Sequence, residues 1–213
     1  MTNHCKKIIV FDFDGTLVDS MGHLAAIASE VMSAHFEVSP QEAKKLYQQT
    51  SGLPFFQQLG VLYPDQQETN TLAAADFERK KRENYFKETS FPDTMETILY
   101  LKEKGYTVII SSNSAQELVD RFVAQLNIPC DLALGYKENF SKGLKHFLYI
   151  MERWGGSPTE MVFVGDSIKD GEWAFESGID FIAKAGTFSK KQFEDRFPGI
   201  PIISRLAELR EMF

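Results

Sequence analysis

Positive charge is scarce in this 213-residue chain: 23 Lys and Arg stand against 30 Asp and Glu, a formal net charge of −7. The deficit argues against a nucleic-acid groove, which carries a basic face. It says nothing against a small anionic ligand, which answers to the local field. Cysteine is scarcer still. Cys5 and Cys130 show neither metal-ligand spacing nor a disulfide framework, so two reduced thiols in a reducing compartment are expected. Long apolar runs are also missing. The first, Ile8-Ile9-Val10-Phe11, is four residues long before Asp12. A signal peptide needs about 7–15 such residues and a membrane span about 20. A cytoplasmic protein with no membrane partner is therefore expected. Repeats and low-complexity segments are absent, as are a P-loop, a Gly-x-Ser-x-Gly elbow and a His-Glu-x-x-His pair.

What is present is ordinary for a globular chain: 43% hydrophobic and 25% charged residues, and enough length for a sizeable core in one or two domains. Short apolar runs recur at Ile8–Phe11, Thr107–Ile110, Asp131–Leu134, Met161–Val164, Ile179–Ala183 and Ile200–Ile203. Each is too short for a helix and rich in Val, Ile or Phe, and so reads as a buried strand. Helical patterns separate most of them. Ile98, Leu99 and Leu101 recur over 94–104, ahead of a C-capping Gly105. Leu118, Val119, Phe122, Val123 and Leu126 recur over 115–126, and Leu144, Phe147, Leu148, Ile150 and Met151 over 143–154. This alternation predicts a parallel sheet covered on both faces.

About 95 residues between the first two strands break that rhythm. Helices are expected at 22–36, 40–50 (with Pro40 near its start), after the turn Gly52-Leu53-Pro54, and at 68–89, which includes Tyr85. The mixed-sign run Glu78–Glu83 reads as a solvated helix face. Residues 19–89 are expected to form a small helical domain, leaving a discontinuous main domain of 1–18 and 90–213.

Three strand ends carry chemistry. The first strand ends in Asp12-Phe13-Asp14-Gly15-Thr16, and Met161–Val164 ends in Gly165-Asp166-Ser167-Ile168-Lys169-Asp170. Clustered acids repel and raise one another's pKa, so four at one sheet edge call for a cation, and hard oxygen ligands suit Mg²⁺. Thr107–Ile110 ends in Ser111-Ser112-Asn113-Ser114, hydroxyls and N–H groups able to hold phosphate oxygens. In a parallel sheet these ends share one edge, where ligands bind. Lys142, in a loop after a strand, can reach the same edge. Taken singly, each piece has a plainer reading: a turn at Asp14-Gly15, an N-cap at Ser167 or Ser112, a surface lysine. Their order after successive strands is what carries weight.

Val10-Phe11-Asp12-Phe13-Asp14-Gly15-Thr16-Leu17-Val18-Asp19-Ser20 resembles the first motif of the haloacid dehalogenase-like hydrolase superfamily. Ser111-Ser112-Asn113 resembles the second motif, and Val164–Asp170 the fourth. Lys142, 24 residues before Asp166, falls where the third-motif lysine stands, although Lys137 and Lys145 are near and Gly143 follows where many relatives have proline. The resemblance spans the chain and lies with the phosphatase branch that carries a helical cap after the first motif, as in phosphoglycolate phosphatases and β-phosphoglucomutases. It implies an α/β fold, a Rossmann-like parallel sheet with helices on both faces, plus a small all-helical cap.

The resemblance further implies Asp12 as nucleophile through an aspartyl-phosphate and Asp14 as acid, then base. Mg²⁺ would sit on Asp12, Asp14 (through its carbonyl) and Asp166, with Asp170 orienting Lys142 or joining the metal. Ser112, Asn113 and Lys142 would hold the phosphoryl group. Asp14 points away from dehalogenation, because a halide leaving group takes no proton. The turn Ser51–Gln57 matches the cap's specificity loop, so Gly52 and Phe55 could touch substrate; Phe55, Phe56 and His23 could equally be ordinary packing and surface residues. The arginine of β-phosphoglucomutases and the cap lysine of phosphonoacetaldehyde hydrolases are not found between Gly52 and Leu62. A phosphatase of a small phosphorylated metabolite therefore ranks first, a phosphomutase second and a phosphonatase third. A silent binding protein on the same fold is the alternative from another class. A monomer or homodimer is expected.

Overall fold

The computed structural model describes residues 6–84 and 87–213. Cys5 and Tyr85 lie outside the described residues. Six parallel strands form one sheet: β1 (Ile8–Phe11), β2 (Thr107–Ala115), β3 (Leu132–Tyr136), β4 (Met161–Gly165), β5 (Asp180–Lys184) and β6 (Ile202–Ile203), in the order β3-β2-β1-β4-β5-β6. The expected α/β sheet is thus observed. β1 is central because its four residues are apolar throughout and need cover on both faces. Ile8 and Val10 join a cluster with Phe147, Ile150, Phe163, Ala174 and Phe181, while the alternating Ile9 and Phe11 are fully buried outside that cluster.

Nine helices are described: α1 (Met21–His35), α2 (Pro40–Gln49), α3 (Phe55–Leu62), α4 (Gln67–Asn84), α5 (Thr94–Glu103), α6 (Gln116–Leu126), α7 (Leu144–Trp154), α8 (Ile168–Glu176) and α9 (Lys190–Arg196). On α7 the expected apolar face is only partly inward. His146, Phe147 and Ile150 are buried, whereas Leu144 and Leu148, beside that stripe, are about half exposed, at 56% and 53%. Leu99 is likewise exposed. The largest departure is β2, which runs on through Ser111-Ser112-Asn113-Ser114 to Ala115. Its pairing with β3 shifts register between Ser111 and Ala115, so the polar segment is an irregular extension of the strand beyond the expected end at Ile110.

The chain divides into two compact units, 1–19 with 90–213 and 20–89. In the larger unit, Val18 bridges to Ser90, the Phe91 N–H donates to the Leu17 carbonyl, and the Thr94 hydroxyl donates to the same carbonyl. The points where the chain leaves and re-enters this unit are therefore pinned side by side. The smaller unit holds α1–α4 around its own core, with Phe55 stacked on Phe77 at 4.1 Å and Phe36 on Tyr63 at 4.0 Å. Among the described residues, no helix is long and apolar enough to cross a membrane.

Candidate active site

Register decides which side chains meet. Phe11 pairs with Ile110 on one side and Val164 on the other, and Gly165 pairs with Ala183. Asp12 and Asp166, which follow the last residues of β1 and β4, leave the sheet side by side at its carboxyl edge. Asp12 and Asp166 are 3% exposed and Asp170 fully buried, and one carboxylate oxygen from each lies within 4.8 Å of the others. A buried set of three carboxylates is the donor chemistry that fits a hard divalent cation, so these residues could hold a metal ion.

Lys142 reaches the same place. Its Nζ donates to Asp12 Oδ1 at 2.6 Å and lies 2.8 Å from Asp170 Oδ1. Of the three lysines near the third motif, it is the one beside Asp12; Lys145 donates instead to the Asn139 carbonyl. Burial works against charge on Lys142, but Asp12 and Asp170 outweigh it and raise its pKa. Burial raises the Asp12 carboxyl well above its usual range, against the pull of Lys142 and with the push of Asp170 and Asp166. Burial and Asp170 lift Asp166 to about 6. Asp170 has a second duty: its Oδ2 accepts from the Ser167 N–H at 3.1 Å and hydroxyl at 2.6 Å, and Ser167 caps α8 in return. The capping and ion-pairing readings of this motif are both present.

The Asp14 carboxylate does not join the other three. It accepts from the Ser114 hydroxyl at 2.6 Å, and Gly15, with φ of +83°, turns the chain just beyond it. Ser112 is buried and its Oγ accepts from the Ser114 N–H at 3.0 Å. Asn113 Oδ1 accepts from the Lys142 N–H at 3.1 Å. The segment 112–114 thus grips both Lys142 and Asp14. In the smaller unit, Gly52 has φ of +101° at its turn, Phe55 is buried against Phe77, Phe56 is 46% exposed, and His23 is paired with Glu88.

Five further groups surround the cluster. Thr16 donates to Asp12 Oδ2 at 3.3 Å, and Thr187 donates to Asp166 Oδ2. Lys184 is buried with its Nζ on the Gly15 carbonyl. Trp173 lies with its ring 5.6 Å from Lys142 Nζ, and His146 is buried with Nδ1 2.9 Å from Ser111 Oγ. Lys184 had a readable signal, since it ends β5 at the same sheet edge. Thr16 lies within the β1 motif itself; Thr187, Trp173 and His146 come from segments with no motif of their own.

A family model described as haloacid dehalogenase-like hydrolase matches residues 9–184. The chain is 29% identical over 190 residues to "Probable phosphatase IndB" of Dickeya dadantii, covering 82% of this chain and 79% of that protein. It is 26% identical to a phosphoglycolate phosphatase of Haemophilus influenzae, covering 77% and 79%. Among solved structures, a predicted phosphatase from Clostridium acetobutylicum superposes with a TM-score of 0.84 at 18% identity, covering 97% of each chain. A hydrolase from Pseudomonas syringae does so at 0.81 and 16%, also covering 97% of each. At such identities these structures speak for the fold alone.

Proposed function

The chain belongs to the haloacid dehalogenase-like hydrolase family, and from that premise we propose that it is a Mg²⁺-dependent phosphatase of a small phosphomonoester, with Asp12 as nucleophile. One observation carries the reading: the Lys142 ammonium sits on Asp12 while Asp166 and Asp170 crowd the same buried spot. A fold has no use for four ionisable groups buried together unless they act, because desolvating them costs several kcal/mol per ion.

In this reading a carboxylate oxygen of Asp12 attacks the phosphorus, and the ester P–O bond breaks as Asp14 protonates the leaving oxygen. Asp14 then takes a proton from water. The water oxygen attacks the phosphorus, the Asp12–phosphorus bond breaks, and inorganic phosphate leaves. Ser114 holds the Asp14 carboxyl in place for both transfers. Lys142 stabilises charge on the phosphoryl oxygens, steered by Asp170. Ser112 and the N–H groups of 112–114 offer donors to those oxygens, while Asn113 fixes the Lys142 backbone. Mg²⁺ held by Asp12 and Asp166, with Asp14 through its carbonyl and Asp170 behind, would offset repulsion between the anionic nucleophile and phosphate.

Relatives named for phosphoglycolate and for phosphatase activity put a small phosphorylated acid first among test substrates. The test is phosphate release over a panel of phosphomonoesters with Mg²⁺ and with EDTA. Turnover with Mg²⁺ that falls at least a thousandfold (about 10³, the scale of a lost nucleophile) in Asp12→Asn is expected. Activity surviving that substitution would overturn the assignment of Asp12. Interconversion of sugar phosphates without net release would replace the phosphatase by a mutase.

A further inference from the structure

A buried ion beside the site that this mechanism leaves unused is Lys184. It ends β5, and its side chain turns in toward the acid-bearing edge at 3% exposure. A buried ammonium survives only where its charge and donors are met. Here Nζ donates to the Gly15 carbonyl at 3.0 Å and stands 3.6 Å from the centre of the Phe91 ring, a close cation–π contact. Burial lowers its pKa, and Asp166, Asp93, Asp19 and Asp12 push the other way. None of these acids is its hydrogen-bond partner; the backbone of the turn after Asp14 is.

That turn is short and otherwise closed on itself. The Gly15 N–H donates to the Val18 carbonyl at 2.8 Å, and Asp14 bridges to Val18. Phe91, whose N–H holds the Leu17 carbonyl, lies on the returning segment. Lys184 therefore ties three things together: the end of β5, the outgoing turn that carries Asp14, and the returning segment at Phe91. Ser114 fixes the Asp14 carboxyl from β2, and Lys184 holds the backbone of the next residue, Gly15, from β5.

We propose that Lys184 is a positioning residue for proton transfer by Asp14, acting through its hold on the Gly15 carbonyl and the Phe91 ring. The inference rests on the reading of Asp14 as the acid. Proton transfer is steep in geometry, and a displacement of the order of an ångström costs up to about a hundredfold in rate.

The readout is dependence on the leaving group. p-Nitrophenolate leaves without a proton, whereas an alkoxide needs one. Lys184→Met is therefore compared with wild type on p-nitrophenyl phosphate and on phosphoglycolate, in saturating Mg²⁺. The expected result is a loss of kcat at least about tenfold larger on the alkyl ester than on the aryl ester, with KM little changed. Phe91→Leu, which leaves the lysine in place, is read in the same way if Lys184→Met does not fold, and should show the same skew at smaller size. Equal loss on both esters, or none, overturns the inference and leaves the phosphatase reading standing. If wild type does not turn over phosphoglycolate, the alkyl ester it hydrolyses fastest in the panel takes its place; inactivity on every ester of the panel overturns that reading and this inference with it.

Discussion

Removing the Asp166 charge should stabilise the metal-free protein. Burial and Asp170 push this carboxyl from 3.8 to about 6. At about 1.4 kcal/mol per pH unit, keeping it ionised above pH 7 without a cation costs the fold about 3 kcal/mol. The sign follows from proton counting. Between pH 4 and 6 the native state still holds a proton that the unfolded chain has released, so stability falls as pH rises through that window and stays low above it. Asp166→Asn removes the penalty and keeps an oxygen to accept from Thr187. The attraction to Lys142 is already inside that net rise; what takes back part of the gain is the new buried amide NH2, whose donors need partners. A net gain of about 1–2 kcal/mol at pH 7.5 in EDTA remains, or roughly 4 °C in Tm for a chain this long. At pH 4.5 the gain should shrink toward zero. Mg²⁺ should reverse the order, because wild type then draws stability from binding that the variant has largely lost. Thermal melts in EDTA and in Mg²⁺ at both pH values decide it. An Asp166→Asn protein that melts at or below wild type in EDTA at pH 7.5 would refute the electrostatic argument.

Two other outcomes follow from the same geometry. His146 is held neutral by burial and by Lys142, its pKa lowered to about 3, so native protein resists the proton that the unfolded chain takes up near 6.5. The stability of wild type relative to His146→Gln should be constant above pH 7 and fall by up to about 1.4 kcal/mol per unit from pH 6 toward 4; urea titrations at each pH check this, and a flat difference would rule it out. Gly143 has φ of +102°, and a Cβ there would meet the Trp173 ring at 3.0 Å. Gly143→Ala should therefore cost about 2 kcal/mol in urea melts, and Trp173→Ala in the same chain should return the steric share, as a double-mutant cycle would show.

The β1 motif, the β4 motif and the long helical insertion were readable because each is written locally. Apolar runs of four or five residues specify buried strands, and Asp12, Asp14, Asp166 and Asp170 sit where such runs stop. The rule that parallel strands end at one edge then suffices to bring Asp12, Asp166 and Asp170 together, while the Asp14 carboxylate turns to Ser114. The pattern was a poorer guide at β2, where the strand was expected over Thr107–Ile110 and instead runs on irregularly to Ala115. Polar residues there are buried by neighbours, and no local period reports that. Leu144 and Leu148 were read as inward and are exposed, since a helical stripe has edges that only packing locates.

By itself, then, the sequence determined the sheet and the cluster of acids at its edge, because strand ends and turns depend on neighbouring residues. Tertiary structure decided the partners. Lys142 meets Asp12 across 130 positions, Ser114 meets Asp14 across 100, and Lys184 meets Gly15 across 169. Each of those distances is set by strand order and register, which bring groups remote in the chain within about 3 Å of one another, whereas spacing along the chain marks at most the sheet edge they share.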